Sequence, residues 1–186
     1  MQVIQHVDPT GLLIVARVPP EGSMAIQLGS QLVVEESQEA VFFRDGKALD
    51  TFGPGRHTLK TANLPLLTRL VGLPFEGKSP FQAAVVFVSK KTFFDLKWGT
   101  KEAVAYRDRE LGLVRLRAFG KFAVRVADVR KLVVEIVGTQ NLFATDAIEA
   151  YLRDIIVSRL TDLLGEELDT ILELPGLYEE LAGKLG

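Results

Sequence analysis

The stretch FRDGKALDTFGPGRHTL, residues 43–59, sets Asp45, Asp50 and His57 around Gly53-Pro54-Gly55. Two chemistries suit such residues. A glycine-rich loop can cradle phosphate on main-chain amides, and a histidine oriented by a carboxylate can act as a general base. Neither pattern is complete. A Walker-type loop needs Gly-x4-Gly-Lys-Ser/Thr ahead of a helix, whereas Gly53-Pro54-Gly55 lacks the lysine and leads into the β-prone run RHTLKT. Pro54 also has no amide to offer. Turns account for the glycines more simply: Pro54-Gly55 suits the centre of a type II turn, with Gly55 at positive φ, and Asp45-Gly46 is a hairpin turn signal. His57 has only Thr58 beside it as a nucleophile, and strand alternation points the two to opposite faces.

The rest of the chain offers no better catalytic set. There are no cysteines and only 2 histidines among the 186 residues, which excludes disulfides, thiol nucleophiles and cysteine-held zinc. A reducing, cytosolic compartment fits that composition. Glu35-Glu36 would alternate across a strand and so share no acid–base role, while Asp108 and Glu110, on one face if that strand continues, have Arg107 and Arg109 beside them as in ordinary surface pairing. No metal, cofactor or catalytic residue is therefore expected, and the chain reads as non-enzymatic.

A different kind of site is written in GLVRLRAFGKFAVRV, residues 112–126. Read as one strand, it puts Val114, Leu116, Ala118, Phe122, Val124 and Val126 on a core face. Arg115, Arg117, Lys121 and Arg125 then line the other face, with Phe119 among them. Basic residues interleaved with an aromatic suit anionic lipid or nucleic acid, or an acidic surface of another subunit. The acidic pI of about 5.8 makes nucleic acid the weakest of these. Gly120 interrupts the inward face, as at a bulge or a close backbone approach.

Charge is unevenly spread along the chain. Residues 1–88 carry 7 basic and 8 acidic side chains, residues 89–131 carry 12 and 5, and residues 132–186 carry 3 and 11. A basic middle and an acidic end attract each other, within a chain or between copies.

The elements that must position these residues follow from periodicity. QLVVEE (31–36), EAVFFRD (39–45), FQAAVVFVS (81–89) and TFFDLKW (92–98) are strand-like, the last two separated by Lys90-Lys91. Asp128 can cap a short helix to Ile136-Val137, with Gly138 past its end. Thr145 caps a longer one, Asp146 suits its first turn, and Ile148, Leu152, Ile155, Ile156, Leu160, Leu163 and Leu164 keep helical spacing to a stop at Gly165. A shorter amphipathic piece, Leu177 to Leu185, follows a Pro175-Gly176 break. No run of 18 apolar residues occurs, and MQVIQHVDPTGLLIVARVPP has neither the basic start nor the cleavage site of a secretory signal.

The segments from Gly29 to Leu70, Gly77 to Thr100 and Arg107 to Thr139 resemble the stomatin/prohibitin/flotillin superfamily, the SPFH or band-7 domain. They are similar in particular to its bacterial, cytosolic, virion core protein-like branch. Gly53-Pro54-Gly55 matches the superfamily's Gly-Pro-Gly turn. Lys97-Trp98-Gly99-Thr100 and Leu116-Arg117-Ala118-Phe119-Gly120 are typical of the narrower branch. The resemblance runs from about Leu12 to Leu164.

It implies an α+β fold: a curved, mostly antiparallel sheet with packed helices, spanning 1–165, and a helical C-terminal extension over 166–186. It also implies a homo-oligomeric scaffold for membrane-protein partners, peripheral to the inner face of a bacterial membrane and active in envelope stress. Many relatives carry an amphipathic segment before the first strand and a cysteine-rich zinc ribbon after the last helix. Here only MQVIQHVD precedes the first strand, and no cysteine is present.

Overall fold

The computed structural model describes residues 2–71, 80–138 and 145–185. The fold is α+β, and the chain divides into two compact units, residues 1–93 with 124–148 and residues 94–123 with 149–186.

The first unit is built on β8 (Phe81–Ser89), which pairs antiparallel with β2 (Val15–Val18), β3 (Met24–Ile26) and β5 (Gln38–Arg44). The sequence FQAAVVFVS is almost wholly apolar because both faces of this strand are covered: residues 83–89 are all buried. Next to β5 lies β6 (Lys47–Phe52), the edge strand of the sheet. A smaller sheet sets β4 (Gln31–Val34) between a parallel β1 (Val3–Gln5) and an antiparallel β7 (Gly55–Thr58). One cluster joins the two sheets and the short helix α1 (Pro65–Val71), with Leu32, Phe42, Phe52, Leu59, Leu67 and Phe87 in it. Complete burial of Phe42 or Phe87 contributes about 2–3 kcal/mol each. Helix α2 (Val129–Leu132) lies against β5, and its π-helical continuation over 133–138 lies against β6, burying Val129 and Val133.

The β5–β6 hairpin closes on Asp45 at φ 49° and Gly46 at φ 74°, with Arg44 opposite Lys47. Two successive positive φ values are the mark of a type I′ turn. Farther along, Val41 pairs with Thr51 but Phe43 with Ala48, so Leu49 and Asp50 together oppose Phe42. That bulge explains why Ala48, Leu49 and Asp50 are buried in succession instead of alternating. At Gly53-Pro54-Gly55 the chain bends from β6 in one sheet to β7 in the other, with Gly55 at φ 122°.

The second unit has two layers. Strand β10 (Val104–Asp108) pairs antiparallel with β11 (Gly112–Leu116), and β9 (Thr92–Gly99) pairs with β12 (Phe119–Arg125); the parts of these two strand pairs within residues 94–123 are called the ribbon. Helices α3 (Thr145–Glu167) and α4 (Leu174–Leu185) supply the other layer. Leu160, Leu164, Leu168 and Leu181 pack with Tyr106, Trp98, Val114 and Leu116 of the ribbon.

Several local expectations are corrected. Residues 112–126 form two strands, because the amide and carbonyl of Ala118 turn to Thr100 (3.2 and 2.9 Å) at the break. Helix α3 runs through Gly165 to Glu167, since Leu160, Leu164 and Leu168 hold the register on either side. Pro175-Gly176 lies in the first turn of α4, where a missing amide costs nothing. Thr145 is the first helical residue, and its hydroxyl accepts the amide of Ile14 at 3.0 Å. Asp128 does cap its helix, accepting from the Lys131 amide, but the helix widens into the π turn and includes Gly138. β4 stops at Val34, so Glu35-Glu36 lies in the turn before β5.

Candidate functional site

The ribbon of the second unit owes its two-sidedness to residues that alternate. Val114, Leu116 and Ala118 turn to the helices, while Leu113, Arg115, Arg117, Phe119 and Lys121 are exposed on the opposite side. The break at Ala118 does not disturb this parity. Cross-strand neighbours extend the face, because Arg107 lies opposite Leu113 and Ala105 opposite Arg115. Lys97 joins it as well. A Cβ on Gly99 would touch the Phe119 side chain at 3.4 Å, which puts 97, 99, 119 and 121 on one side of β9 and β12.

The face therefore carries five cations, Lys97, Arg107, Arg115, Arg117 and Lys121, and one strand-borne carboxylate, Asp95. Lys121 is bound to Asp95 at 2.8 Å. That bond, more than the charge of Lys121 by itself, holds the Asp95 carboxyl below the usual range. Arg115 and Arg117 have no ion pair among the described residues. Leu113 is 76% and Phe119 88% exposed, a large apolar area to leave in water beside cations. Arg125, the last residue of β12, is exposed too but belongs to the first unit.

The two branch-typical motifs meet at this ribbon. The indole of Trp98 lies over Gly120, where a Cβ would come within 2.9 Å of Nε1, while Gly99 admits Phe119 and Thr100 binds Ala118. The interruption at Gly120 is thus a close approach, and it is an aromatic ring that approaches.

The helical layer has the opposite sign. Of the ionisable residues in α3 and α4 belonging to this unit whose side chains are described, the acids Glu149, Asp154, Asp162, Glu166, Glu179 and Glu180 outnumber the cations Arg153, Arg159 and Lys184. One unit therefore presents a basic sheet on one side and acidic helices on the other.

The residues around Gly53-Pro54-Gly55 do not converge on a catalytic arrangement. A His57 ring nitrogen donates to the Gly53 carbonyl at 2.8 Å, and the ring packs on Phe52. Asp50 accepts the amides of Leu66 (3.0 Å) and Leu67 (2.8 Å) at the start of α1, and Asp45 pairs with Arg44. Neither carboxylate is hydrogen-bonded to His57. No cluster that could hold a metal ion occurs among the described residues.

One anchoring residue was not legible in the sequence. Asp108, 3% exposed, accepts the amides of Glu110 and Leu111 in its own turn and that of Ile171 beyond α3. Nothing local distinguishes it from a surface acid, because the Ile171 amide is brought in by the tertiary fold.

Among the described residues no helix is long and apolar enough to cross a membrane. The chain is 30% identical over 144 residues to the uncharacterized protein YdjI of Bacillus subtilis (strain 168), a match covering 76% of this chain. The matched part is 44% of that relative, so the chain corresponds to less than half of the relative's length. A family model described as SPFH domain-Band 7 family matches residues 17–186. The chain belongs to the SPFH domain-Band 7 family, a membership consistent with a membrane-associated scaffold role.

Proposed function

We propose that this protein is a non-enzymatic scaffold that assembles with copies of itself at the cytoplasmic face of a bacterial membrane and organises membrane-protein partners there, with a role in envelope stress. Family membership supports the membrane-associated part. The observation that carries self-assembly is the opposed charge on the two layers of the second unit. A basic ribbon meeting the acidic helices of a neighbour is a heterologous contact, and repetition of such a contact produces rings or filaments. Individual exposed ion pairs contribute little, about 0–1 kcal/mol each, so several must act together with the apolar contact of Leu113 and Phe119.

The test is sedimentation of the wild type against the double variant Arg115→Glu/Arg117→Glu. Self-association should weaken, and more so at low salt; an unchanged profile sinks the interface. A second reading rests on the same exposed Leu113 and Phe119. Apolar tips among cations also suit an anionic bilayer, where aromatic side chains settle at the headgroup level. Salt-sensitive flotation of the protein with phosphatidylglycerol vesicles, lost in the same double variant, would favour that reading.

A further inference from the structure

The edge of the larger sheet carries a feature that self-assembly leaves unused. The bulge at Leu49-Asp50 turns Asp50 toward α1 and frees successive carbonyls of β6. The Arg130 guanidinium of α2 takes both, at 2.6 Å from Leu49 and 3.2 Å from Ala48. Edge strand, α1 and the α2–π segment are thereby tied around an open groove of about 520 Å³. Its apolar surface includes Leu66 and Val134, 39% and 47% exposed, and its cations are Lys47, Arg69 and Arg130. No carboxylate is found among its described lining residues. Lys47 and Arg69 are exposed and have no ion pair among the described residues.

We infer that this groove is a docking site for an acidic peptide segment of a partner protein, one that offers apolar side chains beside its carboxylates. Charge complementarity selects the acid: three cations converge on apolar surface with no carboxylate among the described lining residues. The Arg130 bonds decide the mode of binding. They occupy carbonyls of the edge strand, so a partner cannot simply add a strand at the bulge and must engage through side chains, as an amphipathic helix or turn does. A volume of about 520 Å³ accommodates a few side chains, and an open groove would leave much of an acyl chain in water. The described lining residues of the site all belong to the first unit, whereas the ribbon face belongs to the second.

Three probes test it against the full chain by amide NMR. The first is a synthetic helical peptide of alternating Glu and Leu turns, the second its Gln-for-Glu counterpart, and the third vesicles of phosphatidylglycerol and phosphatidylcholine. The acidic peptide should bind saturably, with shifts at Lys47, Leu66, Arg69 and Val134. The Gln peptide should bind more weakly. The exposed double variant Lys47→Glu/Arg69→Glu should lose about tenfold or more in affinity for the acidic peptide, several charge contacts acting together. Its amide spectrum should otherwise match wild type and its sedimentation should be unchanged, which separates this site from the ribbon interface. Absence of saturable binding, shifts confined to the ribbon, or equal binding of both peptides overturns the inference. Loss of vesicle binding in the double variant with peptide binding intact also overturns it, in favour of a lipid site.

Discussion

The Asp108 carboxylate accepts the main-chain amide of Ile171 at 2.7 Å, across 63 positions of sequence. This bond ties the turn at the tip of the ribbon to the segment entering α4, beside a second tie from the Tyr106 hydroxyl to the Leu168 carbonyl. Burial alone would raise the pKa of Asp108. The amides of Ile171, Leu111 and Glu110 and the Thr170 hydroxyl outweigh it and hold the carboxyl below the ordinary range.

The sign of the pH effect follows. A carboxyl with a depressed folded-state pKa stabilises the fold fully above its unfolded value, near about 4, and loses that contribution as pH falls through the lower folded value. In Asp108→Asn the acid-induced loosening of the second unit should be blunted, and its stability at neutral pH reduced. Hydrogen exchange at Ile171 and through α4, followed between pH 3 and 7, measures both. Equal pH dependence in variant and wild type removes Asp108 as the titrating group.

Tyr106→Phe should cost about 1–3 kcal/mol, because it leaves the buried Leu168 carbonyl without its donor while keeping the ring in the core. Burial, helped by the nearby Asp108, Asp169 and Glu173, raises the Tyr106 pKa above its ordinary value of 10.0. Spectrophotometric titration should show a phenol ionising above the ordinary value, and its absence in the variant identifies it.

Asp50→Ala should destabilise the first unit by about 1–2 kcal/mol, since two amides at the start of α1 lose their acceptor. Urea unfolding measures the change. An effect near zero would mean that water replaces the carboxylate at no cost.

Gly120→Ala sets a Cβ 2.9 Å from Trp98 Nε1 and 3.1 Å from Cε2, so the indole must move. Overpacking of this kind costs about 1–3 kcal/mol. Trp98 is the single tryptophan, so its emission reports the displacement without interference.

Asp95→Asn removes the one strand-borne carboxylate of the basic face and releases Lys121. Asn tolerates the backbone there, where φ is 60°. Self-association by sedimentation should strengthen at low salt and depend more steeply on salt. Unchanged association would separate the face from assembly.

Much of the fold was readable because it is local. The apolar run of β8, the positive-φ pair Asp45-Gly46 and the alternation from Leu113 to Lys121 each impose a conformation through neighbours in sequence. The exposed side of Arg115, Arg117 and Lys121 follows from period-two geometry alone. Local rules failed where packing outweighed them: at Gly165, which leucines carry through α3, and at Pro175, whose position in the helix decides whether it breaks or begins one.

The sequence by itself determined the family, the strands β4, β5, β8 and β9, the helical character of the last third and which side chains of residues 113–121 face water, because these depend on pattern and turn chemistry. Only the tertiary structure decided that Asp50 caps α1 instead of orienting His57, that Arg130 closes the edge of β6, and that Asp108 reaches Ile171. Each of these is a hydrogen bond between residues distant in the chain, and the backbone amide or carbonyl that completes it carries no mark in the sequence.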